Sequence, residues 1–157
     1  MSDKITIREA EEKDFDGMME LNKESIDYHL NIDSYYKSSS EYEGLDDYMK
    51  EQLKDENVKI LVAEGGGEII GRIVGVIIKP SPYARPERIG NIDEAYIKEK
   101  YRRMGIGKEL FDRLLKWFKE RGIKRLELSV DARNEIGVNA WRKFGFSDYR
   151  LNMKRDL

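Results

Sequence analysis

The sequence predicts an α/β domain built on a mixed, mostly antiparallel sheet that contains one parallel strand pair. Three observations predict it. Two β-rich runs, residues 59–64 and 68–79, flank Gly65-Gly66-Gly67, the pattern of an antiparallel hairpin. A strand, a helix and a strand then follow one another over residues 88–130, which implies a right-handed crossover between parallel neighbours. Apolar stripes at helical spacing around residues 14–30 and 106–122 need a sheet to cover.

Each element has its own signal. Residues 4–8 alternate apolar and polar and read as a first strand. Asp14 reads as the N-cap of a helix through residue 30, with Phe15, Met18, Met19, Ile26 and Leu30 on or near one stripe. Residues 31–43, rich in Ser and Tyr, form a loop before a second helix over 45–53. After the hairpin, Pro80, Pro82 and Pro86 mark a loop, and 88–97 is the next strand. Leu110, Phe111, Leu114, Leu115 and Phe118 give the following helix its apolar face, and Gly122 ends it. Residues 126–130 read as a strand, 134–144 as a helix closed by Gly145, and 146–153 as a last strand. At 157 residues the whole of 1–157 is expected to be one domain.

Composition excludes several functions. Lys and Arg number 29 against 31 Asp and Glu, so bulk charge does not recruit nucleic acid, and an anion site must be a local cluster. With no cysteine there is no disulfide, no thiolate nucleophile and no thiolate metal site. A single histidine rules out a multi-His metal centre. No segment approaches the roughly 18 apolar residues of a membrane span. The Met-Ser-Asp-Lys start is not a signal peptide, and the expected location is cytoplasmic.

Residues 95–108, Ala-Tyr-Ile-Lys-Glu-Lys-Tyr-Arg-Arg-Met-Gly-Ile-Gly-Lys, carry the most chemistry. A strand end runs into a basic turn, and a helix opens directly behind it. Free backbone N–H groups and a positive dipole end then meet in one loop, which reads as a phosphate cradle. Gly105 and Gly107 let the main chain approach a pyrophosphate, while Arg102, Arg103 and Lys108 add charge. The same glycines would also serve a plain helix start. Two other phosphate loops fail. A Walker loop needs glycine where Arg102 stands, and Ser or Thr where Glu109 stands. A dinucleotide fingerprint needs three glycines behind a first strand, and this turn lies two-thirds along the chain.

With this element order, Arg102-Arg103-Met104-Gly105-Ile106-Gly107 resembles the Arg/Gln-x-x-Gly-x-Gly/Ala signature of the GNAT superfamily of acetyl-CoA-dependent N-acetyltransferases. Residues 134–146, from Asn134 to Gly145-Phe146, resemble the later block of that superfamily. The resemblance implies a GNAT-type sheet with a splayed parallel pair, helices on both faces, and acetyl-CoA as cosubstrate. It implies that the amides of residues 103–108 (Arg103, Met104, Gly105, Ile106, Gly107 and Lys108) hold the pyrophosphate. The main chain at Ile97 and the side chain of Asn134 would bond the pantetheine arm from two sides. Trp141 stands where many relatives carry a tyrosine; its indole N–H is no practical proton source, so it reads as a packing wall of the slot.

Amide formation needs a neutral amine and therefore a base. Bases in the superfamily often lie on the strand before the turn, and Asp93 is the first candidate. Strand alternation puts Asn91, Asp93 and Ala95 on one face with Ile97, and sends Glu94 the other way unless a bulge re-aims it. The competing reading makes both carboxylates ordinary rim charges. The acceptor pocket is expected from the first two helices, their loop and the 80–88 loop. Tyr28, His29, Tyr35, Tyr36 and Tyr42, with Asp27, Asp33 and Glu41 nearby, suit a cationic amine, although a tyrosine-rich loop packed on the sheet has the same composition. Without cysteine, acetyl transfer is expected to be direct. The resemblance implies an N-acetyltransferase, with a small-molecule primary amine as first reading. Its alternatives are a protein N-terminus or lysine as acceptor, or a CoA-binding regulatory module with little catalysis. A homodimer is the one macromolecular partner it leaves open; no nucleic acid and no membrane are expected.

Overall fold

The computed structural model describes residues 4–41 and 43–157. Five strands form one sheet in the order β1-β2-β3-β4-β5: β1 Thr6–Glu9, β2 Val58–Gly65, β3 Glu68–Ile78, β4 Ile89–Ile97 and β5 Leu126–Glu127. Neighbours pair antiparallel except β4 and β5, which run parallel as the crossover required. Helices α1 Phe15–Ile32 and α2 Leu45–Lys54 cover one face, and α3 Ile106–Glu120 covers the other. The side chains of α4 Glu135–Lys143 pack on the α3 side through Trp141, with Phe144 beside it.

The two faces read directly from the strands. Along β3, Ile70, Ile73 and Ile77 join the α3-side core with Leu110, Leu114 and Phe118. Ile69 and Val74 join the other core with Met18, Leu21 and Met49. Burying each such side chain contributes roughly 1.5–3 kcal/mol. At the hairpin tip Gly66 and Gly67 both have positive φ, 59° and 78°, as a type I′ turn requires.

A second pair of glycines sets how closely α3 sits. A Cβ on Gly75 would lie 2.6 Å from a Leu114 methyl, and one on Gly90 would lie 2.6 Å from the Phe118 ring. The bare backbone there lets Leu114 and Phe118 of α3 rest on the sheet itself.

Three expectations need correction. The strand read over 126–130 keeps ladder bonds only at Leu126 and Glu127, because β5 diverges from β4 beyond the Asn91–Glu127 pair. The strand read over 146–153 is absent: Phe146 packs on Phe111 and Trp141, the residues after it are exposed, and among the described residues the segment joins no ladder. Asp14 does stand at the α1 N-cap position, but its carboxylate does not cap that helix. It accepts two bonds from Arg8, at 2.7 and 2.8 Å, and one from the Glu11 amide.

The Arg8 guanidinium holds the buried Asp14 carboxyl below the usual carboxylate range. A depressed folded value means that the pair stabilises fully above the unfolded carboxyl range, and that this contribution is lost as pH falls through the folded one. Asp14→Asn is expected to cost about 2 kcal/mol at pH 7 in urea denaturation. Its deficit against wild type should shrink as pH drops below about 4.

Candidate active site

The turn between β4 and α3 is built by backbone conformation. After a 3-10 turn, Glu99–Tyr101, the chain passes through two left-handed residues, Arg103 at φ 63° and Gly105 at φ 80°. Helix α3 begins at once, with Gly105 as N-cap and no side chain bonding its first amides. A helix start without a capping side chain leaves N–H groups for an anion. Gly107 has a steric reason: a Cβ there would lie 3.2 Å from Ile97 Cδ1, so glycine seats the first turn of α3 against the end of β4. Met104 is exposed at the turn, Ile106 is buried beneath it, and Lys108 pairs with Asp112 at 2.5 Å.

Arg102 lies elsewhere than among those amides. Its Nε donates to the Ile97 carbonyl at 2.9 Å, and its guanidinium sits 5.5 and 5.3 Å from the rings of Tyr28 and Tyr96. Burial pushes the Tyr96 phenol up.

Across the gap opened by the divergence of β4 and β5, α1 reaches the loop before α4. The Tyr28 hydroxyl donates to Asn134 Oδ1 at 3.0 Å, and that oxygen also accepts the Gly137 amide, which caps α4. Arg133 pairs with Asp33 at 2.7 Å and with Asp131 at 2.8 Å. Hydrogen bonds from Arg133 pull the Asp131 carboxyl down to about 2. Trp141 packs edge-on against Phe111, Phe144 and Phe146, with ring centroids 5.6–6.2 Å apart.

A β-bulge reorders the carboxylates. The register slips between Val74 and Gly75, so that Val74 faces Glu94, Gly75 faces Ile92, and Asp93 is the extra residue. Asp93 and Glu94 therefore both project towards α1 and α2, while Ala95 and Ile97 turn to the α3 face. The expectation that Asp93 shares a face with Ile97 is corrected, because alternation holds only without a bulge.

The two acids have different surroundings. Asp93 is exposed and accepts from the Tyr48 hydroxyl at 3.1 Å and from Gln52 Nε2 at 3.4 Å. It lines a cleft of about 270 Å³ with Tyr48, Glu51, Gln52, Asp55 and Asn91. Glu94 is bonded to Arg72, which is only 2% exposed and also donates to Asn22 Oδ1 at 3.2 Å. A carboxylate tied to a buried guanidinium is held as a counter-ion. Of the tyrosines expected around the acceptor, Tyr28 reaches Asn134, while Tyr35 and Tyr36 are exposed, Tyr35 meeting Tyr36 edge-to-face and Tyr36 tilted against His29. Tyr42 lies outside the described residues. Tyr48 and Gln52 were missed by sequence reasoning, and so was Arg72, although it is a charge set within the apolar run 69–78 of β3.

Comparison with known proteins identifies the family and the fold. The model of the acetyltransferase (GNAT) family matches residues 11–146. An N-alpha-acetyltransferase of Sulfurisphaera tokodaii is 26% identical over 152 residues, covering 92% of this chain and 81% of that protein. An uncharacterized N-acetyltransferase of Methanocaldococcus jannaschii is 24% identical over 91% of this chain, which spans 61% of that protein. Among solved structures, a tetramutant of the BH1408 protein of Bacillus halodurans superposes with a TM-score of 0.87 at 19% identity, covering 97% and 99% of the two chains. The aminoglycoside N-acetyltransferase AAC(6')-Iy in complex with CoA superposes at 0.78 with 16% identity, covering 99% and 97%. At such identities the structures establish the fold.

The buried pair behind the bulge yields a stability test. Arg72→Met leaves Glu94 without its partner and is expected to cost about 3 kcal/mol, read as a lower urea midpoint at unchanged m-value. Arg72→Met combined with Glu94→Gln should recover most of that loss. Equal costs for the single and the double variant would contradict the pairing.

Proposed function

The chain belongs to the GNAT family of acetyl-CoA-dependent N-acetyltransferases, and from that premise we propose that it acetylates a primary amine of a small cationic molecule, with Asp93 as general base. The observation that carries the proposal is the separation made by the bulge. Asp93 faces an acidic cleft on the α2 side of β4, while the end of the same strand faces the cradle on the α3 side.

The residues present fit the cosubstrate. The uncapped amides of Arg103, Met104, Gly105, Ile106, Gly107 and Lys108 would hold its pyrophosphate. The main chain at Ile97, at the end of β4 where no β5 partner remains, would pair with the amides of the pantetheine arm, and Asn134 would bond it from the α4 side. Arg102 Nε donates to the Ile97 carbonyl in this structure, and it would have to release that oxygen for the arm to bond there. Trp141 walls the slot through its packing on Phe111, and Tyr28 borders it through Asn134.

Acetyl-CoA supplies a thioester that a neutral amine can open. Asp93 takes the proton from the bound ammonium, while Tyr48 and Gln52 fix the carboxylate that receives it. Glu51 and Asp55 favour entry of a cation into the cleft. Because the chain has no cysteine, no acetyl-cysteine enzyme intermediate forms and transfer is direct. Tyr35 and Tyr36, on the exposed rim beside His29, would meet the outer part of a larger acceptor.

A second reading, acetylation of a protein N-terminus, draws on the Sulfurisphaera relative, which is named an N-alpha-acetyltransferase. Acetylation of a panel of diamines and short peptides, followed by mass spectrometry, separates the two. Preference for small diamines supports the first reading, and preference for peptides the second.

Asp93→Asn is expected to lower kcat by about a hundredfold near pH 6, with a smaller loss at pH 9 where the amine deprotonates unaided, and to leave the KM for acetyl-CoA unchanged. Full activity across that range would place the base elsewhere. Gly105→Asp sets a carboxylate at the cradle in a left-handed position and should abolish activity through loss of acetyl-CoA binding, read as no thermal shift with CoA.

A further inference from the structure

The seat of the Arg102 guanidinium is built by groups other than Arg102. The guanidinium lies over the faces of Tyr28 and Tyr96, 5.5 and 5.3 Å from the ring centroids, and the two rings meet each other at 6.2 Å. Tyr28 is fixed by its hydroxyl, which donates to Asn134 Oδ1, and Tyr96 packs on the core beneath α1 and α2. Both rings therefore keep their places when the guanidinium leaves. Their surroundings favour a positive charge. Burial pushes the Tyr96 phenol up and the Arg102 charge pulls it down, while Glu24 and Glu99 push it up, so two carboxylates act on the same spot. Glu24 is shared with Lys98, 3.5 Å away. A half-buried place against two ring faces takes a cation with little demand on its shape.

Arg102 cannot keep this position while the pantetheine arm is bonded at Ile97. Its Nε holds that carbonyl at 2.9 Å, the oxygen that the arm needs. Losing the carbonyl removes the anchor of the guanidinium, and the seat opens. It opens on the face that carries the acids. With Asp93 as the extra residue of the bulge, Asp93 and Tyr96 both project to the α1 and α2 side of β4, three residues or about 10 Å apart along the strand. A molecule that presents one ammonium to Asp93 can lay a second positive charge against Tyr28 and Tyr96.

On the premise that the chain acetylates small cationic amines, we propose that Tyr28 and Tyr96 form a cation site with two successive occupants. Arg102 fills it in the free chain, and the second positive charge of the acceptor fills it once the pantetheine arm has taken the Ile97 carbonyl. The acceptor class is then an organic dication whose charges lie about 10 Å apart, a long diamine rather than a monoamine. Binding of the cosubstrate prepares the place that recognises the acceptor.

Saturation-transfer NMR with ethylguanidinium as the probe reads the site without turnover. Wild type should transfer saturation to the probe when CoA is bound and not in its absence, because Arg102 fills the seat until the arm displaces it. Arg102→Ala should do so without CoA. Adding Tyr96→Leu to Arg102→Ala should abolish the signal, and adding Tyr96→Phe, which keeps a ring, should retain it. Initial rates then read the acceptor. Wild type should favour 1,8-diaminooctane over octylamine by about tenfold in kcat/KM, and Tyr96→Leu should bring the two within about twofold. A wild-type probe signal equal with and without CoA, a silent Arg102→Ala, or a diamine preference untouched by Tyr96→Leu would each overturn the proposal. The wild-type comparison needs no variant and decides the matter even where Arg102→Ala fails to fold. Wild type that binds no CoA would overturn the premise and the exchange together, whereas a silent Arg102→Ala beside normal CoA binding overturns the cation site alone.

Discussion

The close seat of α3 on the sheet over Gly75 and Gly90 is the constraint on which the rest depends. Leu114 is fully buried and Phe118 is 1% exposed because no Cβ keeps them off the strands. A helix pressed this near must begin tight against β4, and Gly107 beside Ile97 meets that demand. The crossover then returns as β5 at Gly90, and the parallel ladder survives for two residue pairs only. The opening between the strands and the uncapped helix start beside it thus share one cause in packing.

On the opposite face the controlling feature is the bulge at Asp93. One extra residue brings both acids to the α1 and α2 side, and their fates then diverge. Glu94 is absorbed by Arg72, a cation buried among Asn22 and Met49, whose Nε has no hydrogen-bond partner among the described residues. A buried guanidinium needs a carboxylate close by, and holding Glu94 there fixes the backbone that presents Asp93 to the cleft. The sheet therefore separates two surroundings: an uncapped helix start on one face, and on the other an exposed carboxylate that Tyr48 and Gln52 hold in the cleft.

Much of this was legible in the sequence because it rests on local rules. The Gly65-Gly66-Gly67 hairpin, the stripe through Leu110, Leu114 and Phe118, and the glycine turn before α3 follow from periodicity and backbone conformation. The bulge was not legible, since alternation assumes an unbroken ladder and the slip depends on how β3 and β4 register together. The Tyr28–Asn134 bond joins residues 106 positions apart and left no local trace. Arg72 left a partial one, a charge inside the apolar run 69–78. The pattern over 146–153 reads as a strand, but alternation alone supplies no pairing partner, and among the described residues the segment joins no ladder.

The most direct test of the central claim is calorimetric titration of the purified chain with acetyl-CoA, with ATP as the control ligand. Both carry phosphates, but only acetyl-CoA carries the extended amide arm that the open edge of β4 would take. The expected result is a single acetyl-CoA site per chain, with ATP weaker by at least about tenfold, the equivalent of roughly 1.4 kcal/mol. No binding of acetyl-CoA, or ATP binding equally well, would contradict the assignment of the β4–α3 turn and the adjoining strand edge.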